Sequence, residues 1–177
     1  AADLVRFASL GATYAALVSS NPRPRVALLS RSGGDEAAPP AVAEAHAALK
    51  QAARFEYCGL ITADAVPLGD ADVVVTDGFT GNVLIRGFDG VAATAEELLH
   101  RASQRFRWRV GVSMLGSGLS RLRTITDWRG YGGAPLLGYG VLVIRTPGHG
   151  GPEPIQNAIR LAAKTIRLGV VPAIAAS

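Results

Sequence analysis

The chain has 177 residues, of which 49% are hydrophobic and 18% charged, and its formal net charge is +4. This composition supplies enough apolar side chain for one folded domain and excludes an intrinsically disordered chain. The longest apolar runs are too short to span a bilayer, and the single cysteine, Cys58, excludes an internal disulfide and a thiolate metal cluster.

Helical and strand patterns alternate along the chain. The predicted helices cover residues 3–19, 42–53, 83–99 and 153–168. The predicted strands, all with a buried apolar pattern, cover residues 25–29, 56–60, 73–75 and 141–145. Cys58 lies in the second of them, and we expect it to be buried as a small apolar side chain in a reducing cytoplasm. The alternation predicts an α/β fold with a parallel sheet.

A polar turn follows the third predicted strand. Asp77, Thr80 and Asn82 supply a carboxylate, a hydroxyl and an amide, with Gly78 and Gly81 between them. Ligands of open α/β sheets bind outside the carboxyl ends of the strands, and glycines with φ > 0 would let backbone N–H groups converge on an anion. The same residues would also serve as a tight turn into a helix, with Asp77 and Asn82 as caps. Spacing alone leaves both interpretations open.

The second half of the chain is basic. Residues 91–177 hold four acidic and eleven basic residues, whereas residues 1–90 hold ten acidic and seven basic ones. Seven arginines between Arg101 and Arg129 accompany an apolar helical pattern interrupted by Gly116 and Gly118. One helix and two helices joined by a tight turn are equal alternatives, and two helices would form a basic amphipathic hairpin over about residues 100–128. Core or dimer packing is the favoured role, with a membrane surface as the alternative. Nucleic-acid binding lacks a supporting motif.

Two later loops also carry candidate site residues. A glycine-rich turn at residues 131–138 contains Gly132 and Gly133, and His149 lies in a Gly/Pro loop between a predicted strand and the last helix. Because a helix N-terminus favours anions, His149 could act as a general acid or base or contact phosphate. An exposed loop residue without such a role is an equal alternative.

Three segments occur in the order and approximate spacing of one known family. They read ADVVVTDGFTGN at residues 71–82, YGGAPLLG at 131–138 and VIRTPGHGGPEPIQNAIR at 143–160. The chain thereby resembles the C-terminal half of a PlsX-type phosphate acyltransferase. The resemblance implies Rossmann-like α/β/α layers with a mostly parallel sheet, a protruding basic helical hairpin and a homodimer. Such enzymes transfer a fatty acyl group from acyl carrier protein to inorganic phosphate, without a metal or redox cofactor, and the acyl phosphate enters phospholipid synthesis.

The resemblance also implies roles for individual residues. It assigns catalytic roles to Asn82, Asp77 and His149. It also implies that five further residues bind phosphate or shape the cleft: Gly78, Thr80, Gly81, Gly132 and Gly133. The hairpin would contact the second subunit, the acidic carrier protein or the inner face of the membrane, so we expect a cytoplasmic protein with possible peripheral membrane contact.

Three departures from the family's usual pattern qualify that assignment. The family's preceding α/β half is not in the sequence, so we expect a fragment or the C-terminal part of a longer protein. The loop after the first strand contains Arg31 but no lysine, and arginine does not reproduce lysine geometry. Pro147 stands where the family usually has histidine, with His149 two residues further on. The alternative hypothesis is therefore a catalytically silent homologue that binds the carrier protein or a partner subunit.

Overall fold

The computed structural model of the chain describes residues 1–34, 38–104, 133–146 and 151–176. Its helices are α1 (Ala2–Val18), α2 (Pro40–Leu49), α3 (Gly78–Ser103), α4 (Pro152–Arg167) and α5 (Val170–Ala175). Its strands are β1 (Arg25–Leu29), β2 (Glu56–Ile61), β3 (Val73–Val75), β4 (Ala134–Leu136) and β5 (Val143–Arg145). A short 3₁₀ helix, Val66–Leu68, lies in the connection between β2 and β3.

The centre of the fold is a three-stranded parallel sheet in the order β2-β1-β3. Arg25 pairs with Glu56 on one side of β1, and Val26 pairs with Val73 on the other. The chain passes from β1 through α2 to β2, then crosses β1 to form β3 on the opposite side. In an open parallel sheet the ligand crevice lies outside the carboxyl ends of the strands, and those of β1 and β3 are neighbours. The predicted α/β fold with a parallel sheet is confirmed.

The core forms where α1 and α2 pack against β1. Four consecutive residues of β1, from Val26 to Leu29, are buried, as expected for a central strand covered on both faces. Leu4 and Ala8 of α1 and Leu49 of α2 pack in the same apolar cluster. Burial of each large aliphatic side chain contributes roughly 1.5–3 kcal/mol, so this cluster is the main source of stability around the crevice.

A carboxylate joins the start of β1 to the start of β3. Asp72 accepts hydrogen bonds from the backbone N–H of Arg25 at 2.8 Å and from the Arg25 guanidinium at 2.9 Å. The backbone N–H of Asp72 in turn donates to the carbonyl of Arg25 at 2.8 Å. These contacts fix the register of the two strands, and hence the residues that meet at their far ends.

The segment after residue 132 differs from its prediction. Ala134–Leu136, predicted as part of a turn, is strand β4, and it pairs antiparallel with β5. The strand predicted over residues 141–145 begins at Val143 and is exposed at both ends rather than buried. The two strands form a separate ribbon, because their short apolar stretches pair with each other and one face remains open to solvent.

Burial of two other strands was overestimated. Cys58 is exposed, and of the residues in β3 only Val75 is buried while Val73 and Val74 are half-buried. Both β2 and β3 lie at an edge of the three-stranded sheet, where a neighbouring strand covers only one side. An apolar sequence pattern cannot distinguish an edge strand from a central one.

None of the described helices is long and apolar enough to cross a membrane. The predicted hairpin over residues 100–128 falls almost entirely outside the described residues. Its first residues, up to Ser103, form the end of α3.

Candidate functional site

A cleft of about 520 Å³ opens at the carboxyl ends of β1 and β3. Its walls come from the last residues of the two strands, the loops that follow them and the starts of α2 and α3. The polar or charged residues in the lining are Ser30, Arg31, Thr76, Asp77 and Thr80. The cleft therefore lies at the crevice where parallel α/β sheets bind ligands, and two of the predicted site residues, Asp77 and Thr80, line it.

Asp77 is the N-cap of α3. Its Oδ1 atom accepts hydrogen bonds from the backbone N–H groups of Phe79 at 3.0 Å and Thr80 at 2.9 Å. Its Oδ2 atom accepts a third from the Thr80 hydroxyl at 2.5 Å. The hydrogen bonds from the Thr80 side chain and backbone hold the pKa of the Asp77 carboxyl below its ordinary value of 3.8. This carboxylate satisfies N–H groups that a helix would otherwise leave unpaired, which is the cap arrangement that the sequence allowed.

The cap moves the helix start from the predicted residue 83 to Gly78. Neither Gly78 nor Gly81 has a positive φ, so of the two interpretations that the sequence left open, the structure shows the capped helix start rather than a left-handed glycine turn. The backbone N–H of Gly81 donates to the carbonyl of Asp77 at 3.0 Å, as in a first helical turn. Gly81 is needed for space instead, because a Cβ placed on it would lie 2.8 Å from Cγ2 of Thr76.

Other predicted site residues do not line the cleft. Asn82 is exposed on α3, two positions beyond Thr80, and the helical turn of about 3.6 residues directs it to a different side of the helix. Gly133 lies at the start of β4 with φ +134°, and a Cβ there would meet the Arg145 carbonyl oxygen at 2.6 Å. It allows the ribbon to pair closely and is not in the cleft lining. Gly132 and His149 lie outside the described residues.

Three polar or charged residues of the cleft lining were not among the predicted site residues: Ser30, Arg31 and Thr76. Ser30 follows β1 directly and its backbone N–H donates to the Ile61 carbonyl at 2.9 Å. The pairing of β1 with β3 ends at Leu28 and Val75, and Ser30 and Asp77 both lie in the cleft lining, each two residues further along the chain. The place of Ser30 after a buried strand was a usable signal, but it required knowing that β1 and β3 are neighbours.

Ser30 is 8% exposed, and its Oγ atom has no hydrogen-bond partner among the described residues. A buried hydroxyl without a partner typically costs about 1–3 kcal/mol. Thr146, directly after β5, shares this feature, but the loop that follows it is outside the described part of the chain. Ser30 is thus a buried polar side chain of the cleft lining that has no hydrogen-bond partner among the described residues.

Comparison with known proteins gives one consistent result. A family model described as "Fatty acid synthesis protein" matches residues 1–172. A phosphate acyltransferase of Campylobacter jejuni (strain RM1221) is 35% identical over 90% of this chain and 48% of its own length. Phosphate acyltransferases of Thermoanaerobacter pseudethanolicus and Anaeromyxobacter dehalogenans are 33% and 36% identical, over 92% and 97% of this chain and 49% and 48% of their own lengths. The chain spans about half the length of these relatives.

The resemblance based on the three sequence segments is therefore confirmed by a match that covers nearly the whole chain. The first of those segments, residues 71–82, forms β3, the Asp77 cap and the start of α3 at the edge of the cleft. This chain belongs to the fatty acid synthesis protein family, whose members here include the phosphate acyltransferases.

Proposed function

We propose that the protein containing this chain transfers a fatty acyl group from acyl carrier protein to inorganic phosphate and produces acyl phosphate for phospholipid synthesis. The observation that carries this proposal is the family match over residues 1–172, with relatives named phosphate acyltransferase. The position of the cleft supports it, because a substrate held outside the carboxyl ends of β1 and β3 is reached by side chains from two loops and one helix start.

The proposed reaction is an acyl transfer. A phosphate oxygen attacks the thioester carbonyl carbon and the new C–O bond forms. The C–S bond breaks, the sulfur leaves as a thiolate, and the proton lost by phosphate balances the proton that the thiolate takes up to become a thiol. The protein must hold phosphate next to the carbonyl and stabilise the charge that develops on the carbonyl oxygen. Hydroxyl, guanidinium and amide donors suit these tasks. The Arg31 guanidinium lines the cleft, whereas the Thr80 hydroxyl already donates to Asp77 and the Asn82 amide is exposed on α3 outside the lining.

The geometry favours a supporting role for Asp77. A carboxylate with a lowered pKa is a weak base, and both its oxygen atoms already accept hydrogen bonds from the start of α3. We propose that Asp77 positions α3 and that Gly81 allows the first turn of this helix to lie close to Thr76. The exposed Asn82 amide is proposed to donate to the phosphate or to the thioester oxygen. His149 is proposed as the acid that serves the leaving thiolate, and Gly78, Gly132 and Gly133 as residues that shape the site.

The proposed partners are acyl carrier protein, inorganic phosphate and a second copy of the chain. The basic segment Arg101–Arg129 would face the acidic carrier protein, the other subunit or the inner membrane surface, in a cytoplasmic protein. Its first arginine, Arg101, contacts Glu97 at 2.6 Å on the exposed surface of α3, so this arginine is already partly neutralised. No metal or redox cofactor is part of the proposal.

A second candidate is a catalytically silent homologue that binds the carrier protein or a partner subunit. Two observations favour it. The loop after β1 has Arg31 but no lysine, and Asn82 and Gly133 do not line the cleft. This candidate predicts carrier-protein binding without phosphate-dependent turnover.

The decisive experiment measures loss of the thioester from acyl-acyl carrier protein, with and without phosphate, using protein expressed from the complete reading frame. Asn82→Ala should lower kcat/KM by about 10²-fold or more, the usual effect of removing one donor to a developing oxyanion, without changing the unfolding midpoint. Thr94→Ala, another exposed polar residue of α3, is the matched control and should retain activity. Carrier binding without phosphate-dependent turnover would establish the silent homologue instead, and full activity of Asn82→Ala would remove this residue from the site.

A further inference from the structure

The Ser30 hydroxyl lies in the cleft lining, and the proposed acyl transfer assigns it no role. Ser30 is 8% exposed, and its Oγ atom has no partner among the described residues although it can donate one hydrogen bond and accept two. Its backbone is held in place by the hydrogen bond to Ile61 at the end of β2. The backbone of Ser30 is therefore fixed at the cleft wall. The free-energy cost of burying its unpaired hydroxyl would be removed by a ligand that accepts a hydrogen bond from it.

The charges around Ser30 indicate what would bind. Arg31, the next residue, is the one basic side chain among the described residues that line the cleft. The carboxylate in the lining, Asp77, accepts three hydrogen bonds from the start of α3 and stands on the β3 side of the crevice. An anion is thus favoured on the β1 side, where a buried hydroxyl and a guanidinium are adjacent in the chain. Guanidinium groups are well suited to phosphate oxygens.

We propose that Ser30 is a phosphate-binding residue, whose hydroxyl donates to one oxygen of inorganic phosphate while Arg31 contacts another. This inference rests on the proposed function, because that function supplies inorganic phosphate as the acyl acceptor. The serine hydroxyl reaches the ligand by rotating about its Cα–Cβ bond to another staggered position. Ser30 would bind the acceptor without exchanging a proton with it, and the attacking oxygen would be one that Ser30 and Arg31 leave free.

The first test measures the unfolding temperature of the protein from its complete reading frame over a series of inorganic phosphate concentrations. Potassium chloride at equal ionic strength is the baseline. Phosphate that binds the folded state should raise the unfolding temperature. Ser30→Ala should need about tenfold more phosphate for the same rise, the usual effect of losing a hydrogen bond to a charged group. Ser32→Ala is the matched control, since the Ser32 hydroxyl bonds to the Gly34 carbonyl within its own loop.

The same measurement without phosphate separates a binding role from a structural one. Ser30→Ala should then unfold at the same temperature as the unsubstituted protein or higher, because the substitution removes an unpartnered buried hydroxyl. A lower unfolding temperature would mean that the hydroxyl stabilises the fold by itself, which overturns the proposal. Equal phosphate dependence in both proteins, or no response of the unsubstituted protein to phosphate, overturns it as well.

The second test uses turnover and distinguishes this proposal from the proposed function. Ser30→Ala should raise KM for phosphate about tenfold and leave KM for acyl-acyl carrier protein unchanged. A rise in the carrier-protein KM alone would contradict the assignment. If the unsubstituted protein shows no turnover but binds phosphate in a Ser30-dependent way, the acyltransferase proposal fails and the phosphate site stands. If Ser30→Ala turns over with an unchanged phosphate KM, the acyltransferase proposal stands and the phosphate site at Ser30 is overturned.

Discussion

The contact between Gly81 and Thr76 offers a direct test of how β3 joins α3. Alanine at position 81 would place its Cβ 2.8 Å from Cγ2 of Thr76. Two carbon atoms pack best at about 3.5–4.0 Å, so the methyl groups would overlap by about 0.7 Å or more. Thr76 lines the cleft and Gly81 lies in the first turn of α3, so relief of the overlap must move a cleft residue or the helix.

Two opposing terms set the size of the effect. Alanine is favoured over glycine inside a helix by about 1 kcal/mol, whereas inserting a methyl group into a packed contact costs about 1–3 kcal/mol. The net expectation for Gly81→Ala is a loss of about 1 kcal/mol in the free energy of unfolding. Gly87→Ala in the same helix has no atom within 4 Å of the new Cβ. It should therefore gain about 0.5–1 kcal/mol.

The assay is denaturant unfolding of four proteins that form a double-mutant cycle: unsubstituted, Gly81→Ala, Thr76→Ser and the double variant. Serine at position 76 lacks the Cγ2 methyl, so Gly81→Ala should become neutral or stabilising in that background. The expected coupling energy is about 1–2 kcal/mol. An effect of Gly81→Ala that is equal in both backgrounds, or a gain that matches Gly87→Ala, would refute the close contact.

Two further predictions concern carboxylates at the starts of β3 and α3. Asp77→Asn should lower the denaturation midpoint near neutral pH less than Asp77→Ala does, because the asparagine oxygen can still accept from the Phe79 and Thr80 backbone N–H groups but the charge is lost; equal losses would argue against the cap. Because the folded protein lowers the Asp77 pKa, its stabilisation is present above the unfolded value of 3.8 and is lost as pH falls through the folded-state pKa. The Asp72 pKa is also lowered, chiefly by the hydrogen bond from the Arg25 side chain, so the same direction holds. Asp72→Asn should flatten the acid limb of a stability–pH curve, and an unchanged acid limb would contradict the contribution of this carboxylate.

Much of the fold could be predicted from local sequence patterns. The bounds of β1 and β3 agree with those predicted, because short β-branched and aliphatic runs between polar loops are strong strand signals. The predicted start of α3 was five residues late. The apolar pattern begins at residue 83, whereas the first helical turn contains two glycines and is stabilised by the Asp77 cap, which such a pattern does not reveal. The cap itself was one of two interpretations of Asp77 that the sequence left open, and three hydrogen-bond distances decide for it.

The candidate site was predicted only on the β3 side. Asp77 and Thr80 were found because they follow an apolar strand in a recognisable motif, and both line the cleft. Ser30 was not found, since a serine after a strand is common and its importance depends on burial and on its neighbours. Asn82, the strongest candidate by motif, is exposed on α3, and its role depends on what binds there rather than on contacts within the described residues.

The sequence by itself determined the order of strands and helices, the α/β class and the family, because periodicity and a few specific segments depend only on residues near one another in the chain. The tertiary structure decided which strands are neighbours. The order β2-β1-β3 brings Ser30 and Asp77 into the lining of one cleft, although 47 positions separate them in the sequence. Burial likewise depends on that order, since β1 is covered from both sides while the strands beside it are edges. The cleft contains both the capped start of α3 and the unpartnered Ser30 hydroxyl because the carboxyl ends of β3 and β1 lie side by side in the folded sheet.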